Sequence, residues 1–224
     1  EELEKLLVFL RNRYKNVFAK AKVSVVPSGA LLLQLKAAQQ SERKPVMLCG
    51  HMDVVPAEGE WKVDPFSGFD DGNAIWGRGT LDTKVTFNAV LYSADCLISE
   101  GFIPENDIYF AFSGGEEVNG NGASNIVDYF EQNNITPALV VDEGGAVVEN
   151  VFPGVKGACG LIGIAEKGMM NVEYKCKSSG GHASAPKPHT PLVELARACV
   201  KLEENPFKSH LTVPVKEMFD TLGR

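Results

Sequence analysis

The 224-residue sequence has no apolar run long enough to cross a membrane as a helix. Such a helix needs about 20 consecutive apolar residues. The sequence opens EELEKLLVFL, which has neither a basic leading segment nor a cleavage signal. We therefore expect neither a membrane protein nor, as written, a secretory precursor.

Positive charge is also scarce in the sequence. Lys and Arg number 22 against 29 Asp and Glu, which leaves a net charge of -7. A polyanion would be repelled on average, so nucleic acid is not an expected partner. Apolar residues make up 44% and charged residues 23% of the chain, which is typical of a globular protein and argues against intrinsic disorder.

Cysteine is sparse, odd in number and without any CxxC pair. The five cysteines are Cys49, Cys96, Cys159, Cys176 and Cys199. This pattern suggests neither a disulfide framework nor a zinc-finger site. We expect mostly buried, reduced cysteines and a cytoplasmic location.

Strand and helix patterns alternate through the first two thirds of the chain. An amphipathic helix is predicted near the start, followed by two short strands at 22–26 and 31–36. Three apolar runs then predict buried strands, with helices between them. The strands are expected at 45–49, 107–112 and 138–141, and the helices at 82–100 and 123–132. This order predicts an α/β fold with a mostly parallel sheet flanked by helices.

The pattern changes after about residue 156. Antiparallel strands are predicted at 161–165 and 171–177, and a helix at 190–203 with Thr190 as N-cap and Pro191 in its first turn. We therefore expect a first domain over 1–156 and a second over 157–224.

Candidate chemistry clusters at the expected strand ends. His51, Asp82, the Glu116/Glu117 pair and Asp142 each follow a predicted strand or lie in the loop beyond it. Ligands of α/β sheets bind at that edge. An imidazole with several carboxylates suits Zn, Mn or Co, and one of two adjacent carboxylates can bind metal while the other moves a proton.

Each of these residues also has an ordinary explanation when taken alone. A histidine after a strand is commonly a loop residue, and paired glutamates at a helix start are commonly solvated. The glycines in the segment 77–82 are typical of a nucleotide-binding loop, but the third glycine and a clear preceding strand are absent. The shared position at strand ends favours the metal site.

Three motifs give the sequence a family resemblance. GHMDVVP at 50–56, WGRGTLDTK at 76–84 and GEEV at 115–118 resemble the M20 family of metallopeptidases, and they occur in the family's order. The family includes carboxypeptidase S, dipeptidases and aminoacylase-like amidohydrolases. The resemblance implies hydrolysis of an amide bond in a peptide or N-acyl amino acid. It also implies a di-zinc exopeptidase-like catalytic domain with a ferredoxin-like α+β lid or dimerisation domain.

The resemblance also implies roles for individual residues. His51 resembles a metal ligand, and Asp53 the carboxylate that orients it. Asp82 resembles the aspartate that bridges two zinc ions, with a peptide bond that is typically cis in the family. Glu116 resembles the general base, and Glu117 the ligand of the second metal. Co²⁺ or Mn²⁺ could replace Zn²⁺.

Two further residues complete the expected site. Asp142 resembles the ligand of the first metal, with Glu143 as the adjacent alternative. His182, in GGHAS at 180–184, resembles the lid histidine that supports the substrate, often in the site of a partner subunit. A homodimer through the lid is therefore an expected assembly.

The sequence departs from the family pattern in two places. Gly115 stands where an acidic residue usually precedes the glutamate pair. The histidine that completes the second metal site late in the chain is missing, because the histidines after Asp142 are His182, His189 and His210. We therefore expect the N-terminal part of such an enzyme with an incomplete lid. The alternative is a binding or interaction fragment without turnover.

Overall fold

The computed structural model describes residues 2–39, 42–166, 168, 170–185 and 187–223. The chain divides into two compact units, Glu1–Glu143 and Gly144–Arg224. A cut after residue 156 would separate two paired strands, because Ala146–Glu149 pairs with Ala158–Leu161. The domain boundary expected at that position stays a prediction.

The described residues of the first unit form four α-helices and seven strands. In chain order, its elements are α1 (Glu2–Arg13), α2 (Lys15–Lys20), β1 (Lys22–Val26), β2 (Ala30–Leu35), β3 (Val46–His51), β4 (Phe69–Asp70), β5 (Ile75–Trp76), α3 (Val85–Ser99), β6 (Ile108–Ser113), α4 (Gly122–Gln132) and β7 (Leu139–Val141). The elements predicted from hydrophobic pattern are present, most with ends shifted by only one or two residues.

Five strands form the central sheet in the order β1-β2-β6-β3-β7. Strand β3 is parallel to both β6 and β7, whereas β2 is antiparallel to β1 and to β6. The α/β class is confirmed, but the sheet is mixed rather than mostly parallel. The turn Pro27–Gly29 between β1 and β2 is too short for a parallel crossover, which accounts for the antiparallel pairing of these two strands.

Side chains of the central strands alternate between two apolar clusters, one on each face of the sheet. Leu33 and Phe112 pack with α1, α2 and α3, while Leu32, Tyr109 and Ala111 pack with α4. Each of these side chains is at most 3% exposed. The helices therefore bury both faces and hold the strand ends at fixed positions.

The helix predicted from residue 82 begins later, at Val85. Residues Thr80–Lys84 form a wider turn in which Asp82 has extended backbone angles, φ -117° and ψ 96°. The polar residues of this segment therefore form a loop ahead of α3, which the helical periodicity did not predict.

The second unit contains β8 (Ala146–Glu149), β9 (Ala158–Leu161), α5 (Pro191–Glu204) and α6 (Val213–Leu222). Helix α5 matches the prediction, but the strands predicted at 161–165 and 171–177 are wrong. Apart from Leu161 at the end of β9, the described residues of both segments form no strand, and those of 171–177 are all exposed. An alternating apolar pattern favours a strand only where one face of that strand can pack against other residues. The ferredoxin-like lid stays a prediction.

No helix in the described residues combines the length and the apolar character that a membrane crossing requires.

Candidate metal centre

The candidate site lies at the carboxyl ends of β3 and β6. His51 is the last residue of β3 and lies in register with Ser113, the last residue of β6. The Met52 N–H donates a hydrogen bond of 2.8 Å to the Ser113 carbonyl, which keeps the two strands together as they enter their loops. The loops that carry the candidate residues therefore start side by side.

Three side chains converge at this edge. Ligand atoms of His51, Asp82 and Glu117 lie within 4.8 Å of one another. His51 is buried, Glu117 is half-buried and Asp82 is exposed, so the group has a protected imidazole and an open side. His51 Nε2 lies 3.0 Å from Asp82 Oδ1. This donor set suits a divalent cation.

Asp53 connects the imidazole to the Glu116/Glu117 turn. Its carboxylate oxygens accept hydrogen bonds of 3.1 Å from the backbone N–H groups of Glu116 and Glu117. Its backbone carbonyl lies 3.0 Å from His51 Nδ1, and one of its carboxylate oxygens lies 3.6 Å from the same nitrogen. The carbonyl can only accept, so Nδ1 carries a hydrogen and Nε2 faces the carboxylates.

The surroundings of His51 favour a positive charge at Nε2. Burial lowers the pKa of His51, but the hydrogen bonds to Asp82 and Asp53 and the nearby carboxylates outweigh burial, so its pKa is raised. Both ring nitrogens face oxygen acceptors. The arrangement therefore needs either a second proton or a cation between Nε2 and the carboxylates.

Glu143 lies close to this group of side chains, although the sequence favoured Asp142 over Glu143 as the metal ligand. Glu143 Oε1 lies 3.9 Å from His51 Nε2, and its Oε2 is buried without a hydrogen-bond partner among the described residues. Burial, together with the hydrogen bond and charge of Asp142, raises the pKa of Glu143 to about 7. A buried carboxylate oxygen without a donor fits a cation site.

Asp142 lies outside the three-residue group. It is exposed, and its Oδ1 accepts a hydrogen bond of 2.9 Å from the Glu143 N–H. Its expected role as a ligand stays a prediction, as do the roles of the other site residues. Sequence spacing alone could not distinguish two adjacent acids, because their side chains point in different directions at a strand end.

The turn that carries Glu116 depends on Gly115. Gly115 has φ +83°, and a Cβ there would lie 3.4 Å from Gly120 Cα. Glycine adopts this conformation without the steric cost of other residues. Glycine in place of the family's usual acidic residue therefore fits this turn. Glu116, which follows it, is exposed beside Glu117.

Lys84 also supports the site, a role that the sequence motifs did not indicate. Its Nζ donates a hydrogen bond of 2.6 Å to the Met52 carbonyl, which ties the turn before α3 to the loop after β3. Burial lowers the pKa of Lys84, and the Asp53 charge opposes that shift. The Asp82–Thr83 peptide bond is cis, as the family resemblance implies.

His182 lies in the second unit and is exposed. Its Nδ1 lies 2.8 Å from Ser184 Oγ and accepts a hydrogen bond of 3.2 Å from the Ser184 N–H. Its expected contact with substrate stays a prediction.

A mixed α/β sheet with an imidazole and carboxylates at its strand ends is typical of metal-dependent hydrolases. Residues 47–217 match the model of the peptidase family M20/M25/M40. The chain belongs to this family, which implies a divalent metal.

Similar curated proteins carry two kinds of names. The probable carboxypeptidase S-like 2 of Dictyostelium discoideum is 39% identical over 228 aligned residues, covering 100% of this chain and 44% of that protein. The human N-fatty-acyl-amino acid synthase/hydrolase PM20D1 is 37% identical over 164 residues, covering 73% of this chain and 33% of that protein. The chain thus spans less than half the length of these relatives.

Two solved structures have a similar fold. Human carnosine dipeptidase 1 has a TM-score of 0.53 and 18% identity, covering 65% of this chain and 34% of that chain. The M20 family metallo-carboxypeptidase Sso-CP2 of Sulfolobus solfataricus has a TM-score of 0.53 and 24% identity, covering 66% and 33%. These similarities support the fold.

Proposed function

We propose that the protein hydrolyses an amide bond in a peptide or an N-acyl amino acid with two zinc ions. One observation carries the proposal, the convergence of His51, Asp82 and Glu117 within 4.8 Å beside Glu116. The names of the relatives support both substrate classes, since they include carboxypeptidases and an N-fatty-acyl-amino acid synthase/hydrolase.

The proposed ligands divide between two ions that share Asp82. His51 and Asp82, together with Asp142 or Glu143, would hold the first ion, and Asp82 and Glu117 would hold the second. When bound, zinc lowers the pKa of water and polarises the carbonyl oxygen of the amide. The buried Oε2 of Glu143, which has no hydrogen-bond partner among the described residues, supports a cation beside these ligands.

Glu116 is the proposed general base. Its carboxylate accepts a proton from the attacking water and returns that proton to the nitrogen of the leaving amine. Asp53 holds the backbone of Glu116, which places this side chain beside the ligand Glu117. His182 is proposed to donate a hydrogen bond to the oxygen that becomes negatively charged.

Assembly and location are part of the same proposal. A homodimer through the lid would bring His182 to a partner's site. The five cysteines are free thiols, but the expectation that they are buried is wrong, since three are half-buried and Cys176 and Cys199 are exposed. Reduced thiols support a cytoplasmic location.

A second candidate function is binding of metal and substrate without turnover. It is supported because the described residues bring together one group of three ligands, whereas a dinuclear site needs ligands for two ions. Turnover separates the two candidates.

The test is Glu116→Gln in the full-length protein, with the exposed Glu131→Gln as the matched control. Hydrolysis of peptides and N-acyl amino acids should fall by about 10²–10⁴-fold in the first variant, because general bases contribute rate enhancements of that size. The metal content should not change, and the control should keep its turnover. Full turnover in Glu116→Gln would overturn the assignment of the base. Absence of turnover in the unsubstituted protein would favour the second candidate function.

A further inference from the structure

A second concave site lies in the first unit, at the amino ends of β3 and β6. Lys44 precedes β3 and Asp107 precedes β6, whereas His51 and Ser113 are the last residues of these two strands. The cavity therefore lies at the sheet edge opposite the metal centre. The cavity has a volume of about 790 Å³, and the connections before β3 and β7 form its walls. Cavities of this size commonly hold small molecules.

A second feature of this cavity is the hydroxyl group of Tyr109, which is one of its lining residues. The residue is 3% exposed, and its ring packs edge-on against Phe130 with centroids 4.8 Å apart. Tyr109 lines the cavity, and its hydroxyl makes no hydrogen bond within the part of the chain that the structure describes. The hydroxyl oxygen is not among the buried polar atoms that lack a partner, so it is accessible and can donate to a group that enters the cavity.

The phenol is available as a donor at ordinary pH. Burial raises the pKa of Tyr109 to about 12, with smaller contributions from Asp107 and Tyr129. The hydroxyl therefore stays protonated and can donate to an oxygen in the cavity.

Cations surround the same cavity. Lys36, Arg43 and Lys44 line it, in a chain whose net charge is -7. Arg43 is paired with Glu105 at 2.7 Å, whereas Lys36 and Lys44 form no ion pair with any described residue. Two lysine charges therefore remain for a ligand.

The carboxylate in the wall is already engaged. Asp107 accepts hydrogen bonds of 2.7 Å from Gln34 Nε2 and 2.9 Å from the Ala37 N–H. Asn134 and Thr136 also line the cavity and add groups that can donate or accept hydrogen bonds. The charged groups left for a ligand are therefore the two lysines, which favours an anion with several oxygens.

We propose that this cavity binds a phosphate-bearing small molecule, with Lys36, Lys44 and Tyr109 as donors to the phosphate. A phosphate group offers three acceptor oxygens and up to two negative charges, which matches two lysines and a phenol better than a carboxylate does. The remaining volume takes the organic part of the ligand. This site is separate from the proposed amide hydrolysis and does not depend on it.

The test is calorimetric titration of the full protein with AMP, and with adenosine as the probe that lacks the phosphate. AMP should bind and adenosine should not. The AMP affinity should fall by about tenfold or more in Lys44→Ala and in Tyr109→Phe, since each removes a donor to a charged group. Tyr109→Phe deletes only the hydroxyl, and the ring contact with Phe130 is kept.

Two variants elsewhere serve as controls. Lys62→Ala removes a lysine that lies over the Trp76 ring, and Tyr92→Phe changes an exposed tyrosine of α3, so both should bind AMP normally. Equal binding of adenosine would overturn the proposal. So would the absence of saturable AMP binding, or an AMP affinity that is unchanged in both cavity variants, which would place the nucleotide elsewhere.

Discussion

The Asp53 carboxylate accepts a hydrogen bond of 3.1 Å from the backbone N–H of Glu117. This contact joins the loop after β3 to the loop after β6. Asp53 therefore positions both the His51 imidazole and the backbone that carries Glu117. The sequence separates the two residues by 64 positions, and the parallel pairing of β3 with β6 brings them together.

Asp53→Asn should weaken metal binding without unfolding the protein. An asparagine offers one acceptor oxygen and turns an amide NH₂ toward the other backbone N–H, so one of the two hydrogen bonds is lost. Loss of such a supporting carboxylate typically lowers metal affinity by about 10–100-fold. Competition with a chelator measures this affinity. Asp128→Asn, at an exposed position on α4, is the matched control, and equal affinities in the two variants would contradict the role of Asp53.

Gly79→Ala should destabilise the turn that carries Asp82 more than a comparable change elsewhere. Gly79 has φ +82°, and an added Cβ would lie 2.2 Å from Val54 Cγ1. Gly59 has φ +80° with no atom within 4 Å of its Cβ position. Both alanines incur the left-handed cost of about 1–2 kcal/mol. Only Gly79→Ala adds overpacking, typically about 1–3 kcal/mol. Urea unfolding of both variants checks the difference, and equal loss of stability would contradict the close approach.

Leu33→Ala should be severely destabilising because it opens a cavity between the sheet and the helices on one face. Leu33 is fully buried, and truncation of such a leucine costs about 2–5 kcal/mol. Val8→Ala, on the exposed side of α1, should change stability by about 0.5 kcal/mol or less. Denaturant unfolding measures the free energies of unfolding of the two variants. A loss of stability in Leu33→Ala as small as that in Val8→Ala would contradict the central position of Leu33 in the core.

Stability should fall in strong alkali because of Tyr109. Its pKa is raised by burial to about 12, whereas an unfolded chain ionises tyrosine near pH 10. The neutral phenol is favoured in the folded state, so its contribution is complete below about pH 10 and is lost as the pH rises through 12. Tyr109→Phe should show a smaller alkaline loss of stability than Tyr92→Phe, measured by denaturant unfolding at several pH values. Parallel curves for the two variants would exclude this assignment.

The sequence predicted those parts of the fold that depend on local patterns. The apolar runs ending at His51 and Ser113 were identifiable because buried parallel strands are almost continuously hydrophobic. The antiparallel pairing of β2 with β6 was not predictable in the same way, since it depends on contacts between distant residues. The strand expected at 171–177 had a suitable alternation but lies exposed, without a surface to select it.

The candidate site was predictable to a similar extent. Motif spacing identified His51, Asp82 and Glu117, which the structure brings together. The proximity of Glu143 to His51 depends on the backbone direction after β7, and the Lys84 contact with Met52 depends on the turn before α3. Neither geometry is encoded in a motif.

The most direct test of the proposed metal centre is metal stoichiometry, measured by elemental analysis after dialysis of the protein and of His51→Ala and Asp82→Ala. His210→Ala, at an exposed position outside the candidate site, is the control. We expect about one or more divalent ions per chain in the protein and in the control, and loss of that metal in both site variants, because each removes a ligand from the convergent group. Metal retained by both site variants, or no metal in the protein itself, would contradict the proposed metal centre.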